Sequence, residues 1–156
     1  MRKVLILFTI IFTLGTLARA DRLAEPLAPD PSVRTGCLEN GITWFIKRNP
    51  KPEKRVELRL VVRAGSTLED DDQRGLAHLL EHMAFNGSEH FNKQDMVNYL
   101  ESLGVAFGPD LNAYTSFDQT VYLLQIPTHD PKNVDKGFLI LEDWAHGLKL
   151  EDGEIN

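Results

Sequence analysis

Two histidines and one glutamate, His78, Glu81 and His82, lie within one turn of a predicted α-helix, where they could serve a metal-activated water. At about 100° per residue, the two imidazoles project about 40° apart, with the carboxylate about 60° from His78 on its other side. Histidines four residues apart can share one zinc ion, and a nearby carboxylate that is not a ligand can take a proton from its bound water. The spacing therefore predicts a metal site that activates water.

The helix that carries these residues is also predicted by its apolar pattern and by its ends. Apolar side chains recur at i, i+3, i+4 and i+7 on the face opposite the histidines, as in a helix that packs by one side. The acidic run 69–72 suits the positive end of the helix dipole, an interpretation favoured over a calcium loop. Asn86 and Gly87 are expected to end the helix. The apolar positions are Leu76, Leu79, Leu80 and Met83.

The first 20 residues are expected to be a secretory signal peptide rather than part of the fold. Arg2 and Lys3 form a basic start, residues 4–17 are almost wholly apolar, and residues 18–20 supply a small-residue cleavage site ending at Ala20. The apolar run is shorter than the ~20 residues that span a bilayer, so a membrane anchor is the weaker interpretation. We expect a periplasmic or secreted protein.

Charge and cysteine content exclude several classes of protein. Of 17 basic and 23 acidic residues, the leader contains Arg2, Lys3 and Arg19, so its removal leaves 14 basic against 23 acidic residues and a net charge of −9. Such an acidic protein is not expected to bind nucleic acid or anionic lipid. The single cysteine, Cys37, cannot form an internal disulfide, and we expect it to be buried in a strand.

The N-terminal part of the mature chain predicts an extended lead-in followed by a β-hairpin. Residues 21–32 contain three prolines and should be extended. Asn40 and Gly41 are the preferred pair for a two-residue type I′ turn. The strands are predicted at 34–38, 42–47 and 56–64. Apolar side chains alternate along the middle strand, which predicts a half-buried strand with its tryptophan in the core. These side chains are Ile42, Trp44 and Ile46.

Two further helices and two short strands are predicted in the C-terminal part. The first helix spans about 93–103, with Asn92 as its N-cap and Gly104 as its stop. The second begins at Asp130 and Pro131, a favoured N-cap and first-turn pair. The apolar faces comprise Met96, Val97, Leu100 and Leu103 in the first helix and Val134, Phe138, Leu141, Ala145 and Leu148 in the second; the strands are near 112–116 and 121–126.

Hairpin-paired strands and helices with a single apolar stripe together predict a two-layer α+β fold. The helices should lie on one face of a mostly antiparallel sheet, because each helix has one stripe to bury. The sequence contains no internal repeat and no low-complexity tract.

The residues around the His-Glu-His group resemble the zinc-site region of the insulinase/pitrilysin metallopeptidases. These are the inverzincins, whose His-Glu order reverses that of the commoner zinc peptidases. The His-x-x-Glu-His core alone would arise by chance in ~1 in 200 chains of this size, so the matches on either side of it carry the resemblance. They extend over nearly all of the chain from Val33 onward and comprise Gly65, 75–88, 111–116, 120–122 and 144–145.

The resemblance implies a zinc-dependent endopeptidase with one Zn²⁺ per site. His78 and His82 would be the zinc ligands, and Glu81 the general base that activates the metal-bound water. The strand around Asn112 and Ala113 would border the site and pair with the substrate backbone as an added strand. The implied partners are peptides or unfolded protein segments, and neither nucleic acid nor a stable membrane anchor.

A third ligand is also implied, a glutamate on a helix roughly seventy-five or more residues beyond the histidines. Asn156 lies 74 residues after His82. The nearest acids, Glu151 and Glu154, are interpreted as solvated residues in the first turn of a helix. We therefore expect residues 33–156 to be the N-terminal part of a metallopeptidase domain, truncated at its C-terminus and inactive alone. In the family that the chain resembles, domains of this kind close as two halves around a chamber. A missing C-terminal part or a homologous subunit would supply the other half.

Several alternatives stay open. The main competing function is a non-catalytic homologue that binds peptides or completes a partner's chamber, although Glu81 would be needed only for chemistry. A metal-carrying or sensing protein would also not explain that residue. Phe85 either contacts substrate or packs under a neighbouring loop, and the ligand types would accept manganese or cobalt as well as zinc. The histidines without partners at ligand spacing, interpreted as surface residues, are His90, His129 and His146.

Overall fold

A computed structural model describes residues 28–155, which divide after Asn49 into two compact units. The predicted signal peptide, residues 1–20, and most of the lead-in lie outside the described residues. The first unit contains strands β1 (Val33–Cys37) and β2 (Thr43–Lys47). The second unit contains, in chain order, β3 (Arg55–Val62), a 3-10 turn (Ser66–Leu68), α1 (Leu76–Met83), α2 (Asp95–Ser102), β4 (Leu111–Thr115), β5 (Thr120–Pro127), α3 (Pro131–His146) and α4 (Asp152–Ile155).

The first unit is an antiparallel hairpin, as predicted, but its turn differs from the predicted type. The amide of Leu38 donates to Ile42 O at 2.8 Å and that of Gly41 to Leu38 O at 2.9 Å, which encloses a three-residue loop. A type I′ turn needs positive φ at both central residues. Only Gly41, at φ 89°, has a positive value, so the prediction of a two-residue turn at Asn40 and Gly41 was wrong.

The hairpin buries less of its apolar surface than the alternation predicted. Trp44 is half-buried because its ring lies over Gly36, where a Cβ atom would be 2.4 Å from Cζ2 of the indole. Ile42 and Ile46 are exposed, and so is Cys37, which was expected to be buried. Two strands alone offer only one layer, which has little capacity to bury apolar side chains.

The second unit confirms the predicted α+β class, with helices packed against an antiparallel sheet. The strand order is β3–β5–β4, and β5 pairs with both neighbours in antiparallel register. Residues such as Leu58, Leu111 and Leu124 project from the three strands into one buried core under the helices. In the part of the chain that the structure describes, no helix is both long and apolar enough to cross a membrane.

Helix α3 begins as predicted but packs by a different face. Asp130 caps it by accepting the amide of Lys132 at 2.9 Å. The buried residues are Asn133, Gly137, Ile140, Asp143 and Trp144, whereas Phe138 of the predicted apolar face is 58% exposed. Gly137 explains the difference, because a Cβ at this position would lie only 2.5 Å from Ile126 Cδ1. The helix can therefore approach the sheet closely at the glycine, which has no side chain.

Helix α2 is close to its predicted form except at its start. Gln94, with φ 71°, stands at the N-cap instead of Asn92, whose side-chain amide donates to the Asp95 carboxylate at 3.0 Å. Met96 and Leu100 are buried, which confirms the predicted apolar face. Gly104 follows the helix with φ 77°, the left-handed conformation expected at a helix stop.

Candidate metal centre

Helix α1 is anchored at its start by the acidic run that precedes it. The carboxylate of Glu69 accepts the amides of Gly75 and Ala77, each at 2.8 Å. These two backbone hydrogen bonds lower the pKa of Glu69. Asp71 of the same run pairs with Arg74 at 2.5 Å. The run therefore stabilises the first turn of the site helix, as its position in the sequence predicted.

The packing of α1 is concentrated at its C-terminal end, which corrects the predicted four-residue apolar face. Met83 and Ala84 are each 1% exposed, and the indole of Trp144 donates to Ala84 O at 3.1 Å. Leu76 and Leu80, by contrast, are 48% and 42% exposed. The helix touches β4, β5 and the 3-10 turn, and these contacts bury only part of its apolar stripe.

The two histidines of α1 lie side by side, as the helical spacing predicted. Their Nε2 atoms are 3.1 Å apart and their ring centroids 4.6 Å apart, and both side chains are exposed. Two nitrogens bound tetrahedrally at about 2.0–2.1 Å from one zinc ion would be about 3.3 Å apart. The position and chemistry of the pair therefore fit shared coordination of one metal ion.

The described residues bring no third candidate ligand to the two histidines. Within residues 28–155, no group of three or more His, Cys, Asp or Glu side chains is arranged to hold a metal ion. Glu154 instead pairs with Lys93 at 2.5 Å, and Glu151 is exposed in front of α4. Glu151 is therefore an exposed acid, as the sequence indicated, whereas Glu154 is half-buried and ion-paired rather than solvated.

Glu81 is directed from α1 toward β4. It is half-buried, and its Oε2 accepts a hydrogen bond from the Thr115 hydroxyl at 2.6 Å. Burial raises the pKa of Tyr122 on the adjacent strand, and the negative charge of Glu81 raises it further. Tyr122 stacks on Trp144 with ring centroids 5.3 Å apart, so the sheet beneath the carboxylate is firmly packed.

The two predicted substrate-binding residues lie on β4 with their side chains on opposite faces. Ala113 pairs with Tyr122 and packs on the core beneath the helices. Asn112 is exposed and lines a depression on the other face of the sheet, beside Arg59 and Gln125. The side chain of Asn112 also accepts the amide of Ala113 through Oδ1 at 2.9 Å. In the described sheet, β4 is an edge strand.

Phe85 follows the site helix, and its contacts favour packing over a substrate role. Its ring makes edge contacts with Phe107 at 5.4 Å and Trp144 at 5.9 Å. It is half-buried against the core cluster. The second of the two sequence-based alternatives for Phe85, packing under a neighbouring loop, therefore describes it better.

A buried carboxylate that was not selected from the sequence holds the loop after α1. Asp143, 1% exposed, accepts the Ser88 hydroxyl at 2.5 Å, the His90 amide at 3.1 Å and the His90 ring Nδ1 at 2.7 Å. Burial opposes ionisation, but these hydrogen bonds outweigh it and lower the pKa of Asp143. His90, interpreted from the sequence as a surface residue, is exposed, and the hydrogen bond between its ring and Asp143 is the main cause of its raised pKa.

Comparison with known proteins decides the family. Residues 45–156 match the model described as insulinase, peptidase family M16. The chain belongs to this insulinase family. It is 40% identical over 159 residues to the "Probable zinc protease PqqL" of Haemophilus influenzae, an alignment covering 99% of this chain and 17% of that relative. The protein of the same name in Escherichia coli strain K12 is 35% identical, with 100% of this chain and 16% of that relative covered.

A solved structure supports the same membership of the insulinase family. The crystal structure of the periplasmic protease PqqL from Escherichia coli superposes with a TM-score of 0.79 at 36% identity, over 83% of this chain and 14% of that one. The chain therefore spans about a sixth of the length of the curated relatives it matches. Family and fold are thereby established, in agreement with the resemblance drawn from the residues around the histidines.

Proposed function

We propose that this chain supplies the metal-binding helix, the general base and the substrate strand of a zinc-dependent endopeptidase acting on peptides or unfolded segments. One observation carries the proposal: the Nε2 atoms of His78 and His82 are 3.1 Å apart on the helix whose Glu81 reaches the edge strand β4. Relatives named zinc proteases support the metal and the reaction class.

His78 and His82 would hold the metal through their Nε2 atoms. When bound, zinc would supply Lewis-acid polarisation of the peptide carbonyl and of the attacking water. Glu81 would accept the proton of that water and return it to the leaving amine, as a general base that then acts as a general acid. Imidazole also accepts manganese and cobalt, so the identity of the native metal is part of the proposal.

The substrate would bind as an extended strand along the outer edge of β4 beyond Leu111, whose amide and carbonyl already pair with residues 106–108. Main-chain hydrogen bonds from the edge around Asn112 and Ala113 would hold it, so selection by side chain would be loose. This geometry suits unfolded segments, because a folded substrate has few extended strands to offer.

The remaining parts of the site would come from outside the described residues. The third metal ligand and the surface that closes the chamber would be supplied by further chain or by a homologous subunit. The isolated 156-residue chain would then lack a full ligand set and have little activity alone. A periplasmic or secreted location, with a leader ending near Ala20, is supported by the pattern of residues 1–20 and by the periplasmic relative.

The experiment that tests this function compares the full-length wild type with a Glu81→Gln variant. Loss of a general base should lower kcat on an unfolded peptide by at least about a hundredfold, since such groups contribute about 10²–10⁴. Metal content, measured by mass spectrometry, should stay the same because Glu81 is not a ligand. Equal cleavage by both proteins would contradict the proposal, and absence of cleavage in either would favour the non-catalytic, peptide-binding homologue.

A further inference from the structure

We propose that Thr115 is a positioning residue for Glu81, tying the general base to the strand that would hold the substrate. The inference rests on the proposed function, because it assigns a role within the same site. Thr115 Oγ1 donates to Glu81 Oε2 at 2.6 Å. A hydroxyl that donates to a carboxylate over this distance forms a charge-assisted hydrogen bond, which is among the stronger kinds in proteins.

The threonine is itself held firmly. It is the last residue of β4 and pairs with Thr120 across the hairpin. The next residue is bound on both sides, because Ser116 N donates to Gln119 O at 2.8 Å and Ser116 O accepts Ser66 N at 3.1 Å. A β-branched side chain also has few χ1 rotamers, so its hydroxyl is fixed in direction. Thr115 is therefore a rigid donor.

The carboxylate of Glu81 needs a hydrogen-bond donor to fix its orientation. A glutamate on a helix has three rotatable side-chain bonds, and this one is only half-buried, so packing alone does not fix its carboxylate. The bond from Thr115 engages Oε2 and leaves Oε1 as the oxygen that can take up a proton. Orientation of this kind is what separates a competent base from a nearby acid.

The bond also sets the base relative to the peptide. Side chains alternate along a strand, so Thr115 shares the α1 face with Ala113, while Asn112 and Tyr114 face the other side. A peptide paired with the outer edge of β4 would be in register with the strand whose last side chain holds Glu81. Strand β4 would thus position both the scissile carbonyl, through backbone pairing, and Glu81, through Thr115. Without the bond from Thr115, a rotation of α1 would move Glu81 out of line with the carbonyl.

The test uses three threonine variants of the full-length, metal-loaded enzyme. Thr115→Val removes the hydroxyl but keeps the β-branched shape, Thr115→Ser keeps the hydroxyl, and Thr120→Val is the matched control. Thr120 lies opposite on β5 and donates to Ala64 O at 2.9 Å rather than to Glu81. Steady-state kinetics on an unfolded peptide, metal content and thermal unfolding are measured for each protein.

Thr115→Val should lower kcat by about ten- to a hundredfold, the loss typical when a group that orients a reactive residue is removed. KM should stay within about twofold, because backbone pairing to β4 is unchanged. Metal content should be that of the wild type. Thr115→Ser should restore most of kcat, and Thr120→Val should lower the unfolding temperature without changing kcat.

Three results would overturn the inference: a wild-type kcat for Thr115→Val, no rescue by serine, or the same kcat loss in Thr120→Val. Failure of the underlying function is distinguishable from these. If Glu81→Gln still cleaves, the base is misassigned and both proposals fall. If Glu81→Gln is inactive while Thr115→Val is fully active, only the role of Thr115 is refuted.

Discussion

At the scale of single residues, the site depends on carboxylates whose partners come from distant parts of the chain. Asp143 lies 55 residues from Ser88 and 53 from His90, yet it binds both and so fixes the loop that follows the site helix. Thr115 is 34 residues from Glu81. The His-Glu-His spacing was readable in the sequence because it is local to one helix, whereas these long-range bonds have no signature in spacing. His90 is exposed, as interpreted from the sequence, but its bond to Asp143 could not be predicted.

The ion pair between His90 and Asp143 should make the loop after α1 sensitive to pH. The raised pKa of His90 means that its contribution is complete below the ordinary value of about 6.5 and is lost as pH rises through the raised value. The lowered pKa of Asp143 means that its contribution is complete above about 3.9 and is lost as pH falls through the lowered value. The pair is therefore strongest between about pH 4 and 6.5.

Hydrogen exchange of the His90 amide in the full-length protein measures this effect. Wild type should be better protected than His90→Gln at pH 5.5, and the difference should shrink as the pH rises through the raised pKa of His90. Glu89 and Glu142, whose charges also raise the pKa of His90, are present in both proteins, so the comparison isolates the ring. A difference that grows toward pH 8 would contradict the assigned direction.

At the scale of elements, local chemistry predicted the ends of helices better than their buried faces. The Asp130 cap, the Gly104 stop and the acidic start of α1 follow from residues within a few positions of each other. The buried face of α3 does not follow from nearby residues, because the sheet packs against it at Gly137. A glycine is not counted as apolar when a helix face is predicted from periodicity. The exposed Leu76 on α1 shows the same limit: apolar periodicity marks a face but not how much of it is covered.

Gly137→Ala tests whether the close approach of α3 to the sheet is real. Overpacking should cost about 1–3 kcal/mol, of which better helix propensity returns about 1, for a net loss of about 1 kcal/mol. The added Cβ would meet Ile126 and Leu58, which are both buried in the core. Exchange protection of α3 and β5 amides in the full-length protein should fall about fivefold.

Gly153→Ala is the control for this substitution, since a Cβ at position 153 of α4 meets nothing within 4 Å. Its exchange protection should match the wild type or exceed it. Unchanged or increased protection in Gly137→Ala would mean that α3 does not pack on the sheet through its glycine.

At the scale of the whole molecule, the described residues bring the proposed metal-binding helix against the sheet. A helix with two histidines and a glutamate lies along an edge strand, within a chain about a sixth as long as its curated relatives. The family and the two-layer fold could be predicted because the motif, its flanking matches and the element pattern all lie within this segment. No third ligand could be identified, and none is found within residues 28–155.

Anomalous diffraction at the zinc absorption edge tests the central claim most directly. Crystals of the full-length protein, dialysed free of loose metal, should show one peak within about 2.0–2.1 Å of Nε2 of both His78 and His82. The peak should vanish in His82→Ala. A peak elsewhere, or none while both imidazoles are intact, would contradict the assignment of these histidines as the metal ligands.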